Sequence, residues 1–300
     1  MKEKFVHFEG AMSLVGAAFI YGTFGILIRE ISKMMGDATQ TLARFALAAV
    51  FAFGLNMVLR KRLRVSKGVL LRAGLLGGLF AAVVVLFTIS ANSTKIANSV
   101  VLLYAGSILS SFVIGSIAFK EKITKQKTIA IVLALVGLSM YAGGFLAASA
   151  GILAGFGSGL FDGFANAMRK TLKSVDRNLV IMYSFTIGSL FALLIVLATG
   201  GFEVGQFAWL PIVLTVVFAI LQIVLNNLLL FGFQHFDVNV GTVILAMELF
   251  FASLLGYLFF RESPTMSELV GAIVIFAASI VASVNFSQLF KIKKSRVKTA

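Results

Sequence analysis

Ten stretches of roughly twenty apolar residues follow one another along this chain, joined by connections too short to hold a separate domain. They lie near 9–28, 40–59, 69–91, 97–119, 128–146, 149–169, 178–199, 209–233, 238–260 and 266–287. A bilayer core about 30 Å thick is crossed by about 20 residues of helix, each rising about 1.5 Å. Within that core every backbone N–H and C=O must be satisfied by its own segment, which for continuous apolar stretches means a helix. The pattern predicts an all-α polytopic membrane protein with ten transmembrane helices.

Charge supports the same layout. The formal net charge of +14 invites a nucleic-acid partner, but only 13% of residues are charged and 59% are hydrophobic. A soluble protein carries about 25% charged residues. Of the 26 Lys and Arg residues, 21 fall in the amino-terminal segment, in or at the edges of even-numbered connections (60–72, 120–127 and 169–177), or in the carboxy-terminal tail. The odd-numbered connections hold Arg29, Lys33, Lys95 and Arg261, and Arg44 lies inside a span. Such an imbalance places the basic segments and both termini in the cytoplasm, where they face anionic lipid, and the expected location is the plasma (cell inner) membrane. Nucleic acid is not needed as a partner. The apolar stretch from about Ser13 to Ile28 has no clear cleavage site and reads as a retained first helix.

The chain also repeats itself. "SIAFKEKITKQKTIAIVLALVGLSM" (116–140) resembles "GYLFFRESPTMSELVGAIVIFAASI" (256–280), with Glu121 on Glu262 and Asn98 on Asn239 at a spacing of 141. "YGTFGILIRE" (21–30) matches "FDGFANAMRK" (161–170) more loosely, at a spacing of 140. Each unit holds five spans, an odd number, so the second enters the membrane the opposite way up. The expected organisation is two inverted five-helix repeats, 9–146 and 149–287, followed by a basic cytoplasmic tail at 288–300.

Ten spans in two such repeats, with "FKEKIT" and "FRESPT" closing the fourth span of each, resemble the EamA-type members of the drug/metabolite transporter superfamily. Tyr21–Gly22 is similar to that family's aromatic-Gly pair, and "ARFALAA" (43–49) to its Arg-Phe start of helix 2. The resemblance implies a central cavity among spans 1, 3, 4, 6, 8 and 9. It also marks a departure. The family often has a proline within spans 4 and 9, whereas here Ile108 and Leu249 occupy those places, which implies straighter helices.

Carboxylates deep in a membrane are costly and face the bundle interior or a wet cavity. Glu248 falls near the middle of span nine, and Asp162 lies about 10 Å from the end of span six at helical rise. Arg44 sits near an end of span two, where it can snorkel outward or pair with Asp37 or a loop carbonyl, a structural role. Gly151, Gly155, Gly159 and Gly163 form a close-packing ridge, and Ser158, Asp162 and Asn166 form a polar stripe about 60° around the helix from it. Span four presents Tyr104, Ser107 and Ser111 on one face, and span eight presents Gln222, Asn226 and Asn227. The amides suit either interhelical hydrogen bonding or solute contact, and the serines also bond their own helix readily.

These residues point to a secondary-active transporter of a small metabolite of amino acid, amine or nucleoside type, working by alternating access. Glu248 and Asp162 are the candidates for substrate binding and proton coupling. Asn166, Gln222, Asn226, Asn227, Tyr104, Ser107 and Tyr21 are the candidates for orienting the solute or walling the cavity. Removal from water and a facing cation act oppositely on a carboxylate's hold on its proton, so proton and substrate could compete for one acid. A drug or cation exporter, a scaffold and a channel are the alternatives, and a homodimer is left open. An enzyme is not expected: the histidines are His7 and His235, His235 beside Asp237 reads as a solvated loop pair, and no metal-ligand spacing occurs. No cofactor motif is present either, since "GFGSG" (155–159) lies inside a span rather than after a strand.

Overall fold

The structure, a computed structural model, describes residues 2–141, 150–261 and 263–283. The basic tail at 288–300, Glu262 and the junction between the expected repeats lie outside the described residues.

All of the regular structure among the described residues is helical: α1 (Lys2–Ser32), α2 (Asp37–Val58), α3 (Lys67–Ser93), α4 (Ile96–Ala118), α5 (Lys125–Tyr141), α6 (Ala150–Thr171), α7 (Arg177–Ala198), α8 (Trp209–His235), α9 (Val238–Leu245), α10 (Glu248–Phe260) and α11 (Met266–Ser283). Seven segments are long and apolar enough to cross a membrane: α2, α3, α4, α7, α8, the stretch Phe8–Ser32 of α1, and Val238–Phe259, which joins α9 to α10. The glycine-rich and polar α6 is outside that set, as its Asp162, Ser158 and Asn166 would suggest. Outward-facing Phe53, Leu71, Leu109, Val113, Leu194 and Ile273 are exposed, as befits helices whose solvent on that side is hydrocarbon.

Packing crosses the middle of the chain repeatedly. Helix α3 lies on α6 and α7, α1 on α8 and α10, α2 on α7, α4 on α6, and α5 on α11. Two buried clusters result, one centred on α1, α4, α8 and α9 and the other on α2, α3 and α7. Where helices end, the chain uses basic residues in the left-handed region: Arg60, Lys120 and Arg261 have φ of 49°, 50° and 54°. A cation at that place also complements the carbonyl end of the helix dipole.

One element departs from the expectation of straight spans. Helix α4 is continuous, but span nine breaks between α9 and α10 without any proline. At Ala246 and Met247 the backbone tightens to ψ of −12° and −18°. The amides of Met247, Leu249 and Phe250 then bond three residues back, at 3.2, 3.1 and 3.0 Å. This is a single overwound turn of 3₁₀ type, a form that commonly interrupts helices at functional positions. It leaves Glu248 as the first residue of α10.

Candidate solute chamber

The glycine ridge decides how close α6 comes to α4. A methyl group on Gly163 would lie 2.8 Å from the Ser111 nitrogen, and one on Gly106 would lie 2.9 Å from the Leu160 nitrogen, so the two backbones touch where these side chains are missing. That approach sets Ser107 Oγ 2.6 Å from Asp162 Oδ2, donating to it. Asn166 Nδ2 donates to the same oxygen at 2.9 Å. Ser158, four residues the other way, turns aside and donates to the Val83 carbonyl at 3.0 Å.

Asp162 also has a cation. Arg169 Nη1 stands 3.9 Å from Asp162 Oδ1 and donates to Asn166 Oδ1, while its guanidinium lies 5.3 Å above the Phe80 ring. The sequence reading counts Arg169 among the connection residues, yet the structure buries it completely. Spacing held the signal. Asp162, Asn166 and Arg169 recur at four and three residues, which stacks them on one helical face.

Glu248 is held differently. Tyr104 Oη donates to Glu248 Oε2 at 2.7 Å, and among the described residues no cation lies within ion-pair distance of this acid, which is 2% exposed. The overwound turn places it at the start of α10, whose first amides are already bonded to Ala246 and Met247, so the Tyr104 hydroxyl is its hydrogen-bond donor among the described residues.

Arg44 overturns the expectation that it snorkels. It is 0% exposed and points inward, with no bond to Asp37 or to a loop carbonyl. Its Nε donates to the Gln40 carbonyl of its own helix at 3.2 Å, and its Nη2 donates to Thr41 and Thr88 hydroxyls at 3.0 and 3.1 Å. The guanidinium carbon lies 4.3 Å from the centre of the Phe218 ring. Burial on α2 between α3 and α8 turns the guanidinium into the bundle instead of along its helix toward the membrane surface.

These side chains surround one void. Tyr21, Phe24 and Ile28 of α1, Arg44, Phe80, Val83, Val84 and Phe87 of α3, Leu103, Tyr104, Asp162, Phe218 and Glu248 line about 430 Å³ of atom-free space, its mouth included. Arg44 is seven residues from the start of α2 and Phe87 six from the end of α3, so the void occupies the half of the bundle away from the basic connections. Of the sequence candidates, Tyr21, Tyr104, Asp162 and Glu248 line it, and Ser107 and Asn166 reach it through Asp162. Gln222, Asn226 and Asn227 do not line it. Asn226 and Asn227 bond carbonyls one turn back in α8, and the Gln222 amide, fully buried, has no hydrogen-bond partner among the described residues. Ser111 shares a hydrogen bond of 2.9 Å with Thr242.

The basic end of the bundle is closed by ions. Lys170 Nζ is 2.7 Å from Glu121 Oε1 and 3.2 Å from Asp237 Oδ1, Lys127 also bonds Asp237, and Glu121 accepts the Val238 amide at 2.8 Å. Burial pushes the Asp237 carboxyl up, but Lys127 and Lys170 outweigh it and hold the group below the usual carboxylate range. Asp176 is likewise held low, with Lys61 at 2.6 Å and the Asn178 amide prevailing over partial burial. His235 does not pair with Asp237 as the sequence suggested. Its Nδ1 meets the Phe231 carbonyl at 2.8 Å. Among the described residues no group of three His, Cys, Asp or Glu side chains is placed to hold a metal ion.

The comparison with known families bears directly on a bundle of this kind. The profile of the EamA-like transporter family matches residues 8–143 and again residues 149–284. The chain belongs to the EamA-like transporter family. It is therefore a membrane transporter of the drug/metabolite transporter superfamily, a non-enzyme class. A protein of Archaeoglobus fulgidus described as an uncharacterized transporter is 26% identical over 277 residues, covering 91% of this EamA-like chain and 96% of the relative. A Haemophilus influenzae protein described only as uncharacterized is 30% identical over 135 residues, 43% of this chain and 45% of its own length. A solved crystal structure superposes with a TM-score of 0.72 at 15% identity, covering 91% of this transporter and 96% of that chain, a likeness of fold alone.

Proposed function

We propose that the chain is a secondary-active transporter that carries a small metabolite across the plasma membrane by alternating access, with protons as a coupling ion. In this reading α9 and α10 make one span. The ten spans then form two inverted repeats, 9–146 and 149–287, with both termini cytoplasmic.

The contacts support the repeat in a register that the sequence only partly suggested. Gly22 faces Phe251 and Ala252, and Gly163, 141 residues later, faces Ser110 and Ser111, which precede that pair by the same 141. Gly10 against His235 recurs as Gly151 against Thr94. Lys120 and Arg261, again 141 apart, end α4 and α10 in the same left-handed conformation. Exchange of partners between halves is what a two-fold axis in the membrane plane produces. The loose match of spans one and six therefore reads better at 141 than at 140, which sets Tyr21 against Asp162 and Ser107 against Glu248.

The observation that carries the functional reading is the Tyr104–Glu248 hydrogen bond, made across the two halves on the wall of the shared void. A solute bound there touches both halves, so its binding favours their movement as units. Glu248 takes a substrate cation or a coupling proton, and Asp162, already balanced by Arg169, holds α4 and α6 together and serves as the second acid. Tyr21 and Tyr104 wall the solute. Gln222, Asn226 and Asn227 enter the reading as packing groups of α8. The ion network at the basic end closes the cytoplasmic side.

The test is counterflow in proteoliposomes with labelled amino acids, amines, nucleosides and lipophilic cations. Glu248→Gln is expected to abolish exchange while the purified protein keeps a cooperative melt. Unchanged exchange by the variant would remove Glu248 from the mechanism, and absence of any exchange by the wild type would favour a scaffold. Preference for lipophilic cations would favour a drug exporter.

A further inference from the structure

Two ionisable side chains in the void have no salt-bridge partner among the described residues. Asp162 is matched by Arg169, and Asp37 accepts from Asn92 at 2.5 Å. Among the described residues, Glu248 bonds the Tyr104 hydroxyl alone, and Arg44 bonds neutral oxygens and lies against the Phe218 ring. The guanidinium is unfinished, because Arg44 Nη1 is buried and has no hydrogen-bond partner among the described residues. Buried charges are ordinarily paired, and an unused donor on a buried cation is costly unless something occupies it. Apart from the Tyr21 hydroxyl, the rest of the wall is apolar, chiefly Phe24, Phe80, Phe87 and Phe218.

We propose that Arg44 is the anchor for a substrate carboxylate, so that the transported solute is a small zwitterion with an apolar body, its carboxylate on Arg44 and its ammonium toward Glu248. This rests on the transporter reading and narrows it to one substrate class. The planar guanidinium suits the carboxylate, since its edge presents parallel N–H donors. Thr41 and Thr88 fix its orientation before the solute arrives, and Phe218 covers its face. A solute with one charge meets one of the two side chains and leaves the other without a counter-charge.

The test uses purified wild-type protein and four probes: phenylalanine, phenethylamine, 3-phenylpropionate and phenylalanine methyl ester, each titrated by thermal shift. Phenylalanine is expected to stabilise the protein with a dissociation constant at least about tenfold below those of the three analogues, the scale of one lost charge-assisted contact. Arg44→Gln is expected to erase the preference over phenethylamine, and Arg44→Lys to restore part of it. Equal binding of phenethylamine and phenylalanine to the wild type would overturn the proposal, as would failure of all four probes to bind. The wild-type comparison decides the matter if the Arg44 variants do not fold. Selective phenylalanine binding without counterflow would leave the anchor standing and overturn the transporter reading. Counterflow of the amine with no preference for the zwitterion would do the reverse.

Discussion

At the residue scale, the central fact is that the buried ionisable groups are matched unequally: Asp162 has an ionic partner at 3.9 Å, and Glu248 and Arg44 have none among the described residues. Asp162 and Arg169 neutralise each other through Asn166, so removing one of them strands the other. Breaking a buried pair from one side costs about 3–5 kcal/mol, whereas replacing both partners with packing groups costs far less. Arg169→Met should therefore lower the unfolding free energy in detergent by about 3–5 kcal/mol, and adding Asp162→Asn should recover a large part of it. A double variant no more stable than the single would show that the two do not act as a pair. The carboxylate at 162 was legible as an anomaly in the sequence, but its partner was not. Seven residues separate them, and Arg169 follows the last apolar residue of its helix as any interfacial arginine does, so hydropathy alone assigned it to a connection. Arg44 failed in the same way, since distance from a helix end says how far a side chain could snorkel and nothing about which way it turns.

At the element scale, backbone contact between α4 and α6 places Ser107 on Asp162. Gly163→Ala inserts a methyl group 2.8 Å from the Ser111 nitrogen, and crowding of this kind costs about 1–3 kcal/mol. Gly54 lies in α2 with nothing within 4 Å of an added methyl, so Gly54→Ala should leave the melting temperature unchanged or raise it. Loss of stability at both positions would mean that interhelical fit is not what sets Gly163 apart, since helix propensity alone favours alanine at each. The glycine spacing made this seam readable from sequence, because a four-residue period of small residues has few other uses in an apolar helix. The break before Glu248 was not readable. Proline is the usual written sign of such a break, and here the interruption comes from an overwound turn of ordinary residues, Ala246 and Met247.

At the scale of the whole molecule, an ion network at the basic end stands on one side of the void. Asp237 is held below its ordinary range by Lys127 and Lys170 against the upward push of burial. A group depressed in the fold adds stability that is complete above its unfolded value of about 3.9 and is lost as pH falls through the folded one. The stability gap between wild type and Asp237→Asn should thus be constant near neutrality and shrink below about pH 4. A gap independent of pH would show that the carboxylate's charge is not what holds that end. The overall architecture was the most legible level, because hydropathy, basic connections and a repeat near 141 residues constrain a bundle more tightly than they constrain any side chain.

The account stands or falls on whether the void is reached from the side away from the basic connections. The chain has no cysteine, so single cysteines can be placed at Phe87 on its wall and at Ala134 in the dry seam between α5 and α11. With a membrane-impermeant maleimide applied to intact cells, Phe87→Cys is expected to react and Ala134→Cys to stay unlabelled. Lys170→Gln, which releases Glu121 and Asp237, is expected to slow the reaction at position 87 by shifting the population toward the opposite opening. A Phe87→Cys protein that reacts only after the cytoplasmic face is exposed, or never reacts in folded protein, would contradict it.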